Sequence, residues 1–495
     1  MTFLGSLYLH AQTTAIPDSN FEQALINLGI DSDGTVNGQV LSSDIAGVQQ
    51  LIISDMDIQD MTGIESFINL HYLKLHNIPV SNLNLNANVL LDSLFLYNTN
   101  LQSLNLSSNT QLTKLDLYFN YNLTALDLSY NQQLLSLTLS ENVNLGNMDF
   151  SQNTNLEYLF YDNTFNYVAS YINVSNNVNL KNLTFTGFPI TSIDLSNNSL
   201  LEELKCYNNN LNSLDVSNNP ELIKLHCGDE NIDFGYFNHI QNLDLSNNPN
   251  LIQVKCNHIF LENINLTNCT QLEYLDCSIN PLNSLEINNN TLLKTLIAYN
   301  ANLYNIDLTT NTQLEYLYVE NTIGLFGIPL DYKNQLINMD ITQNTELILL
   351  HCQDNLLESL NLKNGHNDNL IEMFATNNPN LSCIQVDDVS YAENNQHWHK
   401  DPGAVYSTDC SSQEIAEYVS AAIEIYPNPA IDRLFIENYS TQEIKQIQIF
   451  DISGKQVLQM EFTGDYIDIQ ALQKDVYVLK IQAGEQWITR KLMKE

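Results

Sequence analysis

From Leu51 to Asp387 the chain repeats itself. The pattern L-x-L, or a close variant, returns every 10 or 11 residues, and these units pair into a period of 21 or 22. One full period reads Leu201-Glu-Glu-Leu-Lys-Cys-Tyr-Asn-Asn-Asn-Leu-Asn-Ser-Leu-Asp-Val-Ser-Asn-Asn-Pro220. A unit this short cannot bury its apolar side alone, so successive units must stack and share one continuous core. Strand alternation then sends both leucines of each L-x-L inward and the residue between them outward. The expected fold is mainly β: a solenoid of about fourteen 21-residue coils with strands on both faces. A length of 495 residues would otherwise suggest about three domains, and the repeat overrides that expectation.

The two half-repeats carry different outward residues. In one series these are Asn84, Asn105, Asp127, Asp149, Asn173, Asp194, Asp215, Asp244, Asn265, Glu286, Asp307, Asp340, Asn361 and Gln385, every one an acid or an amide. Asp and Asn suit tight turns and keep a long sheet soluble, so this face reads as scaffold. The asparagines that close these units, Asn109, Asn131, Asn153, Asn177, Asn198, Asn219, Asn248, Asn290, Asn311 and Asn344, are expected to be buried amides serving the backbone groups of neighbouring turns.

The other series is varied. With its flanking outward columns it holds twelve aromatics in 42 positions, against one, Tyr171, in the first series. Phe95, Tyr118, Tyr158, Phe160, Tyr207, Tyr274, Tyr299, Tyr316, Tyr318 and Phe374 belong to it, together with Lys205, His226, Lys255 and His351. Exposed rings, cations and imidazoles on one sheet offer stacking, hydrogen bonding and charge, so these fourteen residues are the candidate ligand-binding set. The competing reading is that the rings pack on one another and stiffen the sheet. Three insertions, Thr164 to Ala169, Gly228 to His239 and Thr322 to Gln335, all follow units of this series. They fall on one edge, where recognition loops accumulate. Phe234, Tyr236 and Phe237 stand out in the second, and Ile328-Pro-Leu330 in the third resembles a degenerate half-repeat.

This period with leucine and asparagine at these spacings resembles the bacterial leucine-rich repeats in which both halves of each coil carry L-x-L. The tail resembles a second family. Alternating patterns occur at Arg433–Ile436, Ile444–Phe450, Val457–Phe462 and Val476–Ile481, with a turn at Ser453-Gly454-Lys455, enough for a small β-sandwich. Within them stand Tyr426-Pro-Asn-Pro-Ala430, Asp451-Ile-Ser-Gly-Lys455, Asp475-Val-Tyr-Val-Leu-Lys480 and a terminal Lys491-Leu-Met-Lys-Glu495. Together these words resemble the type A C-terminal sorting domain of type IX secretion in the Bacteroidetes. The resemblance implies handling by the type IX machinery, transport across the outer membrane and removal of the tail near residues 411–422. Secretion or residence on the surface of a Gram-negative cell follows from it. The opening Met1 to Gln12, apolar and ending at Ala11, reads as the second half of a signal peptide without its basic region; the alternative is a buried strand over Phe3 to Leu9.

An exported chain leads to a reading of its cysteines. Cys383, in the last unit, and Cys410 flank a segment outside the array that contains Trp398, and are expected to form a disulfide that closes the final coil. Cys206, Cys227, Cys256, Cys277 and Cys352 hold the last leucine position of their units, and Cys269 replaces a ladder asparagine. They read as small core residues, with no C-x-x-C and no metal-site spacing. At the other end, Ile16 to Leu28 reads as a capped amphipathic helix with Pro17 near its start.

The chemistry-bearing signals are weak. Asp31-Ser-Asp-Gly-Thr-Val-Asn37 hints at a calcium loop, but aligned on Gly34 it has Gly29 and Val40 where the first and twelfth ligands belong, so a turn is the better reading. His397-Trp-His399 reads as cap packing by Trp398 before it reads as a ligand set. No catalytic motif is present, and no cofactor, metal or enzymatic activity is expected. With 18 Lys+Arg against 57 Asp+Glu the net charge is −39, the wrong sign for unspecific binding to nucleic acid or anionic lipid. No internal apolar run reaches the roughly 18 residues of a membrane span. Residues 1–421 carry −36 of the charge and residues 422–495 only −3. The expected order is signal remnant 1–11, cap 12–50, solenoid 51–387, cap 388–410, linker 411–421 and sorting domain 422–495. The expected function is recognition of an extracellular protein or glycan by the aromatic-rich sheet; the alternative is a passive surface-layer or spacer protein.

Overall fold

The computed structural model describes residues 12–163, 170–229, 236–322, 332–410, 423–438, 443–451, 455–464, 466–484 and 486–495. The signal remnant, the linker, Phe234, the whole first insertion, the middle of the other two and the Ser453-Gly454 turn fall outside them. The chain divides into two compact units, Met1–Leu381 with Asn394–Gly403, and Ser382–Glu393 with Ala404–Glu495.

In the first unit the varied half-repeats form one parallel sheet of sixteen strands, running in sequence order from Gln50–Ser54 to Trp398–Lys400. The register never slips: Leu73, Leu94, Leu115, Leu137 and Leu159 are direct neighbours, as are Leu204, Leu225, Val254, Leu275, Leu296 and Leu317. A slip of one residue would turn every leucine to solvent, and burial of that column forbids it. Leu73, Leu94, Leu204 and Leu317 are fully buried, each worth about 1.5–3 kcal/mol of transfer free energy. The sheet extends one strand past the repeat at its C-terminal end. Trp398 takes the leucine position beside Met373, and its indole N–H donates to Leu370 O at 2.9 Å.

On the opposite face the L-x-L segments keep the same period but pair less. Within this unit, ladder pairing appears at Asn242–Asp244 with Asn263–Asn265, at Asn338–Asp340 with Ser359–Asn361, and as a single bridge between Leu104 and Leu126. The cause is local. Asp127 accepts the Ser129 N–H at 2.9 Å, and Asp149, Asp194, Asp215, Asp244, Asp307 and Asp340 each take the N–H two residues on. Each such turn begins straight after the outward residue and leaves little backbone free to pair.

Below these turns runs the expected ladder. Asn219 Nδ2 donates to Leu195 O at 3.1 Å and to Asn198 O at 2.8 Å, and Asn109, Asn131 and Asn153 do the same one coil back. Cys269 stands in this row with its Sγ 3.3 Å from Leu245 O. A second ladder lies behind the varied strands. Asn209, Asn280, Asn355 and Asn378 each donate to carbonyls of their own and the preceding coil and accept a backbone N–H in return. After the second and third insertions the chain returns at Asn238 and Asn334, which make the same bonds.

The N-terminal helix spans Ser19–Asn27 with Asp18 as its cap, so Pro17 lies just outside it. Buried Glu22 accepts the backbone N–H groups of Asn37, Gly38 and Gln39. The Asp31–Asn37 segment is a turn whose carboxylates serve the turn itself: Asp33 accepts from Thr35 N, Thr35 Oγ1 and Asn37 Nδ2.

The second unit contains the predicted disulfide, with Cys383 and Cys410 joined across a Cα–Cα distance of 5.9 Å. Parallel pairing of Cys383–Gln385 with Val405–Ser407 accompanies it. The tail folds as two antiparallel sheets, three strands (Ile423–Tyr426, Arg433–Asn438, Tyr466–Asp468) and four strands (Ile444–Asp451, Gln456–Glu461, Val476–Ala483, Gln486–Met493). Ile447, Ile449, Leu434, Ile467, Leu479 and Ile481 form its core. The Tyr426–Ala430 motif is tied to the last strand through Asn428, which donates to Lys491 O and accepts from Met493 N at 2.8 Å.

Candidate functional site

The outward side of the sixteen-stranded sheet presents three parallel columns of side chains, one rung every 4.7–4.9 Å. The fourteen candidate residues all lie there, but they do not form one cluster. Phe95 and Phe374 are twelve strands apart, about 60 Å along the sheet at that spacing.

At the N-terminal end the rings lean on each other. Tyr72 meets Phe95 at 4.9 Å, His76 stacks on Tyr97 at 4.4 Å, Tyr97 meets Tyr118 at 6.2 Å, and the Lys114 ammonium sits 5.1 Å from the Phe95 ring centre. Tyr118 is also hydrogen-bonded to Thr138, and burial pushes its phenol up. Two strands on, Tyr158 is 39% exposed. Among the described residues neither Tyr158 nor Phe160, beside it on the same strand, stacks on another ring. Tyr161 points inward: it is buried and donates to Gly146 O at 2.9 Å.

The middle of the sheet is polar. Lys205, His226 and Lys255 are consecutive in the central column. Lys205 pairs with Glu203 at 2.7 Å, and the His226 ring is largely buried against Tyr207, 4.5 Å away and stacked. Further along, Tyr274 faces Thr295 and then Tyr316 in the first column. Tyr299 is hydrogen-bonded to Ser278, and burial pushes its phenol up.

The C-terminal end is a continuous ring ladder. Tyr318 meets His351 edge-on at 5.1 Å, His351 meets Phe374 edge-on at 4.9 Å, and Phe374 stacks on His399 at 4.7 Å. His351 Nε2 lies 2.8 Å from Glu372 Oε1. His399 completes this ladder.

Buried and half-buried carboxylates punctuate the same face. Burial pushes Asp162 up to about 6 and Asp229 up to about 7, and raises Asp276 and Glu320. On the opposite face the turn bonds do the reverse, holding Asp127, Asp149 and Asp244 below the usual carboxylate range. No cluster of three or more potential metal ligands occurs among the described residues. Of the three aromatics noted in the second insertion, Tyr236 and Phe237 are described, and the Phe237 ring meets His258 edge-on at 5.0 Å.

Coils of 21 or 22 residues, inward leucines in register and buried asparagine ladders define a leucine-rich-repeat solenoid. The functional domain of InlJ from Listeria monocytogenes, described as including a cysteine ladder, superposes with a TM-score of 0.57 at 23% identity, covering 98% of this chain and 99% of that one. An internalin (inlF) from Listeria monocytogenes strain 4b F2365 aligns at 20% identity over 79% of this chain and 98% of its own, TM-score 0.48. A leucine-rich-repeat protein from Leptospira interrogans aligns at 17% identity over 75% and 82%, TM-score 0.48. No curated protein matches the sequence. The tail is the family-specific part: residues 424–495 match the model described as "Secretion system C-terminal sorting domain", and the chain is a leucine-rich-repeat protein carrying a type IX sorting domain. That domain marks it for secretion or attachment at the cell surface. Among the described residues no helix is long and apolar enough to cross a membrane.

Proposed function

We propose that the exported solenoid recognises an extracellular protein or glycan through the outward side of its sixteen-stranded sheet, and that binding, not catalysis, is its activity. The observation that carries this reading is the division of labour between the faces. On one, most outward acids and amides are engaged by a turn two residues on. On the other, Tyr158, Phe160 and Tyr316 serve no such turn and stack on no ring among the described residues. Tyr158 is exposed and Phe160 and Tyr316 are half-buried, and aromatic surface left open on a regular sheet is what anchors ligands. The neighbours' fold supports a scaffold role and leaves the ligand to be identified.

The ring ladder Tyr318–His351–Phe374–His399 favours a second reading, a stiffened spacer with no specific ligand. One experiment separates them. The full chain and its Tyr158→Ala, Phe160→Ala and Tyr316→Ala variants are screened against extracellular polysaccharides and surface proteins, with thermal stability recorded alongside. Binding lost at least tenfold in these variants, at unchanged melting temperature, supports recognition by the sheet. A folded native chain that binds nothing on either panel moves the reading to the spacer.

A further inference from the structure

The tail is the part of the chain to which its family assigns a partner, because a sorting domain is handled by the secretion machinery. Its two sheets offer that partner different faces. In the three-stranded sheet Ile423, Leu434 and Ile467 lie in the core, with Ile425 and Ile436 packed against it. Strand alternation therefore turns Tyr426, Phe435 and Tyr466 outward. The register makes them direct neighbours, Tyr426 opposite Phe435 and Phe435 opposite Tyr466. The three rings form one row across the whole width of the sheet, about 10 Å between its outer strands, with ring centres 5.6 and 5.9 Å apart.

The outward side of a small antiparallel sheet is normally its polar, solvated side. Here Tyr426 is 46% and Tyr466 39% exposed, so the domain does not cover the row itself. Arg433, two residues before Phe435 on the same face, lays its guanidinium over the Tyr466 ring at 4.5 Å. The chain has two arginines. Arg490 is tied into the fold and donates to Ile423 O at 3.0 Å. Arg433 rests on the ring, and its register partner Asp468 accepts the Gln470 N–H at 3.0 Å. Tyrosine and arginine are the residue types that dominate the hot spots of protein interfaces. A guanidinium already stacked on a ring loses little freedom when a partner covers it. Ring pairs also stiffen a sheet, but stiffening needs no arginine beside them. The outward side of the four-stranded sheet is more broken. Lys480 lies over Phe450 at 5.5 Å, and Trp487, 42% exposed on the edge strand opposite Gln482, meets no other ring among the described residues.

We propose that the row Tyr426–Phe435–Tyr466, with Arg433, is the surface by which a protein subunit of the type IX machinery grips the sorting domain before the chain crosses the outer membrane. The partner's matching face is apolar, with an oxygen acceptor placed for the guanidinium. The proposal goes beyond recognition by the solenoid and does not depend on it.

The test expresses the full chain in a Bacteroidetes cell with an active type IX system and follows its amount in the periplasm, on the cell surface and in the medium. Tyr426→Thr, Tyr466→Thr and Arg433→Gln probe the row, threonine being chosen because it keeps the strand. Tyr426→Phe and Tyr466→Phe keep the rings, and Trp487→Thr probes the other sheet. Resistance of the tail to proteolysis in each purified full chain reports whether the domain is folded. The two threonine variants and Arg433→Gln are each expected to cut the exported fraction about tenfold or more, leaving a chain with a protease-resistant tail in the periplasm. The phenylalanine variants and Trp487→Thr are expected to be exported as the native chain is. Normal export of the three row variants overturns the proposal, as does a loss confined to Trp487→Thr. Variants that reach the surface with the tail uncut would assign the row to tail removal instead. Export lost only where the tail has also lost its protease resistance would leave the row a structural role.

Discussion

Asp229 offers a direct check of the electrostatics of the varied face. It is 4% exposed, and its Oδ1 accepts the Asn208 N–H at 2.8 Å. Burial pushes its carboxyl from 3.8 to about 7, against the pull of the backbone donors. The sign follows from linkage. An acid with a raised folded-state pKa binds its proton more tightly when folded, so its contribution is intact below pH 3.8 and is lost as pH rises toward 7. A shift of about 3 units corresponds to about 4 kcal/mol in full, of which about 2–3 kcal/mol falls between pH 5 and pH 8. Asp229→Asn keeps an oxygen for the Asn208 N–H and removes the ionisation. The variant should therefore gain on the native chain by about 2–3 kcal/mol as pH goes from 5 to 8. At about 2.1 cal/mol/K per residue of unfolding entropy, an array of this size moves by about 1 °C per kcal/mol, so the melting-temperature difference should widen by about 2–3 °C. Differential scanning calorimetry of both proteins across pH 5–8 reads this. Parallel curves would refute the assignment, because a carboxylate that titrates equally in both states cannot separate them. Asp162, pushed up to about 6, leaves a smaller slope of the same sign in both proteins.

Two further outcomes are expected. Asn219→Ala removes two buried hydrogen bonds to Leu195 O and Asn198 O and should cost about 1–3 kcal/mol, read as a lower denaturation midpoint; Asn218→Ala, on the exposed side of the same turn, should change it by less than about 0.5 kcal/mol. The six unpaired cysteines are all buried, with burial pushing Cys227 and Cys269 up to about 12. A water-soluble thiol reagent should leave them unmodified in the native chain and label six per molecule after denaturation without reductant; labelling of eight would show that Cys383 and Cys410 are not joined.

Much of the architecture could be read from the sequence because each repeat states its own environment. L-x-L gives the strand and its facing, the row of asparagines gives the first ladder, and Cys383 and Cys410 declared their pairing by flanking the segment that follows the array. The second ladder escaped notice because its spacing is broken. Thr99, Phe188, Ile259 and Ala301 interrupt it, and after two insertions Asn238 and Asn334 resume it out of phase. Periodicity finds what keeps its period, whereas hydrogen bonding needs the groups to meet in space and lets the chain between them vary. The candidate site was legible as a face and not as a place. Facing follows from alternation, but the division of that face into two ring ladders and a polar middle depends on which rungs are neighbours.

The turn bonds on the scaffold face have an evolutionary consequence. Each coil closes itself through its own Asp or Asn and contacts only the coils before and after it. A whole coil can thus be gained or lost as a cassette without changing how the remainder folds. Such an event alters which columns stand side by side on the varied sheet, bringing residues 182–186 against residues 224–226, for example, if the coil between them is deleted. Unequal crossing-over within the gene would in this way reshuffle the exposed rungs in steps of one, generating new surfaces faster than point substitution and without risk to the core.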